Sequence, residues 1–285
     1  MADTRIALVY FSATQVTHTY VQVISQALQA YGYAVETVNV TSHAARQEPL
    51  PVDDFSGFFF GFPVFSDFAP SVINDWLPTL DGKGKPCAQF LTYGARTTGY
   101  AHFHTRLLLE QAGFVPLLSA EFLGRHSFNV GGWRILPDRP DEGDFAVARE
   151  FAVLAMERFS QEVPEPLILQ KPFGYDRALD WIKDRPRTSE RRWTHPGRTA
   201  DTCSMCRDCE TGCPTRAFDA DSGLSDPATC IECMHCVAVC PDRVIAIDPR
   251  FENTYERFLA HWHLTEDLMR AKKSRLINSA WEAAA

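Results

Sequence analysis

With 285 residues and 45% hydrophobic content, the chain is long enough for two domains of about 100–200 residues and can bury a real core. Its formal net charge of −8 argues against nucleic acid, which needs a dominant basic face, and no window approaches eighteen uninterrupted apolar residues, so no membrane insertion is expected. The opening residues, MADTRIALVYFSATQ, lack a charged leader, an apolar run and a small-residue cleavage site, and a cytoplasmic protein is expected.

Residues 5–11 (RIALVYF) form an apolar, β-branched and aromatic run, the pattern of a strand buried on both faces. A hydroxyl-rich loop follows over residues 12–17, after which Tyr20, Val21, Ile24 and Leu28 recur at helical spacing. Free N–H groups and the helix dipole make such a junction an anion site, with Ser12, Thr14 and Thr17 supplying hydroxyls. An ordinary helix cap by Ser12 or Thr14 is the plainer alternative. Residues 34–40 alternate as a second strand, and residues 54–62 (DFSGFFFGF) hold a third. Pro63, Val64, Phe65 and Ser66 come next, then a helix starting near Pro70 with Val72, Ile73, Trp76 and Leu77 on one face.

A fourth strand over 86–92 runs into Thr92, Tyr93, Gly94, Ala95 and Arg96. A helix over 107–112 stops at Gly113, a fifth strand covers 114–123, and Asp144 is expected to cap a last helix. Strands alternating with helices predict a doubly wound five-stranded parallel sheet, whose ligand lies at the carboxyl ends of the strands. The loops at 12–17, 63–66 and 92–96 should meet there. Cys87 reads as a buried hydrophobe, and His102, His104 and His126 read as structural, without metal-ligand spacing.

Residues 171–201 carry eight Lys/Arg against five Asp/Glu and have no sustained period, which reads as a connector with one short helix around 178–182. Its arginines are either solvated or lie over the acidic segment that follows and tune it by charge. In that segment Cys203, Cys206, Cys209 and Cys213 precede Pro214, and Cys230, Cys233, Cys236 and Cys240 precede Pro241, each residue of the second run 27 positions after its counterpart. Three cysteines at successive x2 intervals are not a zinc arrangement, and disulfides would need an oxidising compartment. The spacing fits iron–sulfur ligation.

The run resembles the bacterial two-cluster ferredoxins over about fifty residues. In that pattern the last cysteine of each run ligates the other cluster. The resemblance implies one 4Fe-4S cluster on Cys203, Cys206, Cys209 and Cys240 and a second on Cys230, Cys233, Cys236 and Cys213. The S-x-T-x-x-T loop after the first strand is similar to the FMN-phosphate loop of flavodoxins, whose usual form has Gly-Asn where this chain has Gln15-Val16. With FGFPVF, TYGAR and GRHSF in that order, nearly the full chain resembles flavodoxin–ferredoxin fusion proteins.

The resemblance implies a flavodoxin-like FMN-binding domain over 1–165, a linker over 166–201, a small α+β bacterial ferredoxin-like domain over 202–250, and a helical extension over 251–285. It implies phosphate binding by Ser12, Thr14, Gln15, Val16 and Thr17. Pro63, Val64 and Phe65 would lie against the isoalloxazine, and Tyr93 and Gly94, with Thr92 beside them, would face the ring edge. Arg96 would stand near the flavin's N1 side. The expected protein is an electron-transfer flavoprotein, an oxidoreductase passing electrons to or from a redox partner protein or a small molecule. A homodimer is compatible with it. The alternative is a flavin-free docking and electron-relay subunit whose ferredoxin clusters alone are active.

Overall fold

The computed structural model describes residues 5–184 and 195–277. Arg185, Arg187, Arg191 and Arg192 of the expected connector, and residues 1–4 of the N-terminal stretch, lie outside them. Strands β1 (Arg5–Tyr10), β2 (Ala34–Asn39), β3 (Gly57–Pro63), β4 (Pro86–Tyr93) and β5 (Val115–Leu123) run parallel in the order β5-β4-β3-β1-β2. This is the flavodoxin-like order, with its switch point between β1 and β3.

The phenylalanine run of β3 explains both layers. Phe58, Phe60 and Phe62 pack on one face with Ile73 of α2 (Ser71–Trp76) and Leu109 of α3 (Ala101–Gln111). Phe59 turns to the other face, against Phe151 of α4 (Glu142–Phe159), in a core shared with Ile24 of α1 (Val16–Ala30). All four phenylalanines are fully buried, and each such side chain contributes about 1.5–3 kcal/mol of transfer free energy.

Two helix boundaries differ from expectation. The third helix begins at Ala101, six residues earlier than the apolar pattern indicated, because the Ala101 amide closes a turn onto the Thr98 carbonyl at 3.0 Å. The cap of α4 is Asp141 and not Asp144. Asp141 accepts the Asp144 amide at 3.1 Å and its own amide donates to the Asp144 carboxylate at 2.9 Å, a reciprocal capping box. Asp144 is buried and also receives Arg139 and the Ser274 hydroxyl, both at 2.5 Å.

The stretch expected as a solvated connector is packed through α5 (Tyr175–Asp184). Leu167, Leu169 and Tyr175 are buried with Phe68 and Phe103. The cysteine segment then builds its own antiparallel sheet from β6 (Gly197–Arg198), β7 (Phe218–Asp219), β8 (Leu224–Ser225) and β9 (Ile245–Ala246), in the order β7-β8-β6-β9. Two short helices, α6 (Asp208–Thr211) and α7 (His235–Val239), complete this α+β unit.

The C-terminal extension folds back as two helices, α8 (Thr254–His261) and α9 (Glu266–Ala271). Phe251, Tyr255 and Met269 pack there with Tyr93, Leu123 and Trp133. A sixth strand, β10 (Arg275–Ile277), pairs antiparallel with β5 and so extends the five expected parallel strands. Among the described residues no helix is long and apolar enough to cross a membrane.

Candidate redox centre

The carboxyl ends of β1, β3 and β4 open into one cavity of about 850 Å³. Ser12, Thr14, Val16 and Thr17 line it together with Pro63, Val64 and Phe65, and with Thr92, Tyr93, Gly94 and Arg96, so the three loops converge. Gln15 is not on the wall. It takes a left-handed backbone, φ 71°, where glycine would be unstrained, and its side chain turns to His18 Nδ1 at 2.9 Å.

Two of the loop's three hydroxyls already have partners. Ser12 Oγ accepts the His18 amide at 3.1 Å, although the cap position of α1 is Gln15 and not Ser12 or Thr14, and the Thr17 and Thr92 hydroxyls share a hydrogen bond of 2.8 Å. Among the described residues no acceptor meets the amides of Thr14, Gln15, Val16 or Thr17. These donors open the first turn of a 15-residue helix, the arrangement that receives an anion. The sequence offered no cation for that anion, but the structure places Arg125 on the same cavity wall. Gly124 before it must be glycine, since a Cβ there would lie 2.2 Å from Val16 Cγ1.

The second loop is shaped by a tight turn. Phe65 and Phe68 exchange backbone hydrogen bonds of 2.7 and 3.2 Å across Ser66 and Asp67, both left-handed. The Asp67 carboxylate pairs with Arg96, and the Asp67 carbonyl accepts the Tyr100 amide, which laces this loop to the third. Gly99, at φ 53°, leaves room for Asp67; a Cβ there would approach Asp67 Cβ to 2.4 Å. The Arg96 guanidinium also lies 4.2 Å from the ring centroid of Trp262.

His126 lies on the cavity wall, where burial and then the Arg96 charge hold its pKa down at about 4, and its Nδ1 accepts the Phe128 amide. His102 and His104 are off the wall. His102 stands beside buried Glu121 on β5, with Nε2 to Oε2 at 3.4 Å, and His104 Nδ1 meets the Tyr175 hydroxyl at 2.7 Å. Burial alone would raise Glu121, but His102 and Arg275 outweigh it and bring the carboxyl to about 2. Cys87 is buried and its thiol is pushed up by desolvation, as expected of a core residue.

The cysteines fall into two groups. Cys203, Cys206, Cys209 and Cys240 line a single small cavity with Arg198, the one arginine of the expected connector found against the cysteines among the described residues. As free thiols, Cys230 is raised to about 11 by burial and Cys233 and Cys236 higher still, and the thiols that add to these shifts are Cys213, Cys230 and Cys233. For Cys209, raised by burial, the contributing thiols are Cys206 and Cys240.

The backbone explains how each run curls. Met205 and Arg207 in the first run and Glu232 and Met234 in the second are left-handed, at matching positions of the repeat. The curl aims amides at sulfur, with Ala217 N donating to Cys213 Sγ at 3.3 Å and Glu232 N to Cys230 Sγ at 3.4 Å. A cube gives each thiolate an iron of its own, and each group supplies four cysteine sulfurs for the four iron corners. The donor set fits two cubes.

The second set abuts the cleft. Ile231 and Glu232, between Cys230 and Cys233, line the large cavity, and Cys233 joins the core cluster that holds Phe11, Ala13 and Phe62. His235 Nδ1 lies 3.1 Å from the Ala13 carbonyl, and the His43 amide donates to the Cys213 carbonyl at 3.2 Å. Arg46, 8% exposed, donates to the Val40 and Thr41 carbonyls at 2.7 and 2.8 Å and to the Pro214 carbonyl.

A 4Fe-4S dicluster domain family matches residues 195–241. This chain joins a flavodoxin-like fold to a two-cluster 4Fe-4S domain. Electron transfer is the chemistry such clusters supply. Comparison with curated proteins finds no match. Among solved structures, the chain is similar to a flavodoxin from the domain Archaea at 14% identity, over 55% of this chain and 100% of that one, with a TM-score of 0.41. It is similar to oxidised flavodoxin 2 from Bacillus cereus at 18% identity, over 54% and 99%, with a TM-score of 0.42. The Flv1 flavodiiron core from Synechocystis sp. PCC6803 matches at 22% identity over 55% of this chain and 36% of that one, with a TM-score of 0.42.

Proposed function

We propose that this protein is an iron–sulfur flavoprotein oxidoreductase that passes electrons between FMN in the large cavity and the two clusters. The observation that carries the reading is contiguity: residues 231 and 232, inside the second cysteine run, form part of the wall of the cleft made by the three flavodoxin-like loops. When bound, FMN exchanges two electrons and each cube one, which makes the chain a place to gather or split electron pairs.

The chain's own residues supply the rest. Thr14, the amides at the start of α1 and Arg125 would hold the phosphate, with Thr17 and Thr92 fixed beside it by their shared hydrogen bond. Pro63, Val64 and Phe65 would bear on the ring system, and Tyr93 and Gly94 on its edge. Arg96, neutralised by Asp67 and stacked on Trp262, acts as a brace more than as a free counter-charge. Cys213, Cys230, Cys233 and Cys236 would hold the cluster nearest the cleft, and Cys203, Cys206, Cys209 and Cys240 the farther one. Cys206 is exposed, so the farther cluster is the natural contact for a redox partner. The units of this device would be residues 1–165 and 202–250, with α5 of the 166–201 connector and α8 and α9 of the 251–285 extension packed against the first of them.

Anaerobic purification, acid release of the chromophore and its identification test this reading. It expects about one FMN per chain beside the iron. Full iron with no flavin would instead make the chain a flavin-free relay, the reading favoured by Gln15 standing where glycine is usual.

A further inference from the structure

The large cavity has a roof that a flavodoxin-like domain does not itself provide. Tyr100 lines it, α5 contributes Arg177 and Trp181, and α8 with the residue after it contributes Phe258 and Trp262. Arg177 and Trp181 are four apart on one helix and so share a face. Trp181 is 57% exposed and Trp262 44%, and both rings line the cavity. Two carboxylates of the wall have basic neighbours. Asp67 pairs with Arg96, Glu232 lies 3.8 Å from His195, and Arg125 stands beside the phosphate loop. Arg177 is exposed and has no ion-pair partner among the described residues.

We propose that the chamber contains a second subsite, for a small planar conjugated carboxylate held by the Arg177 guanidinium against the Trp181 ring, over the position assigned to FMN. The inference rests on the flavin reading for what lies beneath the subsite. Aromatic walls select a planar π-system, and a guanidinium fork selects a carboxylate through paired N–H···O bonds. A chamber of this size is at the upper end of the range for small-molecule sites. A roofed cleft with its own anion fork belongs to a protein that binds a small molecule at the flavin, and a bare carrier needs no such roof.

The test titrates the anaerobically purified full chain with trans-cinnamate, read by flavin absorbance and by tryptophan fluorescence. Saturable binding is expected, with cinnamyl alcohol and cyclohexanecarboxylate each weaker, and Arg177→Gln should weaken cinnamate by about tenfold or more while FMN content stays unchanged. Absence of saturation, or equal affinity in Arg177→Gln, overturns the subsite. Loss of FMN in that variant overturns it as well, because Arg177 would then serve the cofactor. Should wild-type protein hold no FMN, the flavin reading fails separately. The subsite is then supported by saturable tryptophan quenching that depends on Arg177, and refuted without it.

Discussion

Removing the buried charge of Arg46 should lower the reduction potential of one cluster and spare the other. Its guanidinium is tied to the Pro214 carbonyl, one residue beyond Cys213, and burial pulls its pKa down while the Cys213 and Cys233 thiols push it up. A positive charge at that place favours the electron-rich reduced cluster. Two unit charges on the order of 8 Å apart in a medium of effective dielectric about 20 interact by about 2 kcal/mol. For a one-electron couple, where 59 mV is a factor of ten, that is about 90 mV. Arg46→Gln should therefore shift the cluster on Cys213, Cys230, Cys233 and Cys236 down by about 90 mV, and Arg46→Lys should stay near wild type. An anaerobic redox titration followed by EPR reads both clusters. Equal shifts in the two, or none in either, would refute the placement of this charge.

Other outcomes follow from the same geometry. Reconstituted protein should hold roughly eight irons and eight sulfides, and about four would contradict two complete ligand sets. Cys213→Ala should disturb the cluster near the cleft; selective loss of the one on Cys203, Cys206 and Cys209 would reverse the pairing. Thr14→Ala and Arg125→Gln should each weaken FMN by about tenfold or more, since bonds to a charged group contribute about 1.5–3 kcal/mol, and iron content should not change. His126 binds its proton less readily in the folded chain, at about 4, than at its ordinary 6.5. The unfolded state thus holds more protons between those values, and stability should fall by up to roughly 3 kcal/mol as pH drops from 6.5 to 4. In chemical denaturation across that range His126→Gln should flatten the slope, and an unchanged slope would remove His126 as its cause.

Much of this was legible because it is local. The cysteine repeat is dictated by how a short curled loop meets a cube, and the sheet by runs such as DFSGFFFGF that bury on both faces. What escaped depends on contacts distant in sequence. Arg46 meets Pro214 across 168 positions, and nothing in its neighbourhood marks it. β10 is only three residues, and its pairing is secured by Arg275 meeting the buried Glu121 carboxylate at 2.7 Å. The roof went unseen for the same reason, since α5 and α8 each look like ordinary amphipathic helices until both are set over one cavity. From the sequence Asp144 reads as the cap, because the capping box places an acid at both of its ends. Gln15 shows the reverse case: the departure from Gly-Asn was visible, but the side chain's turn away from the cleft required the left-handed backbone to be seen.

In the proposed function, the flavin cleft and the nearer cluster form one continuous electron path within a single chain. Photoreducing the bound flavin with a brief flash and following cluster bleaching at several protein concentrations tests it most directly. Bleaching should follow at a rate constant independent of concentration. A rate that rises in proportion to protein concentration would show that electrons pass between molecules, and the contiguity of residues 231 and 232 with the cleft would then not be the route.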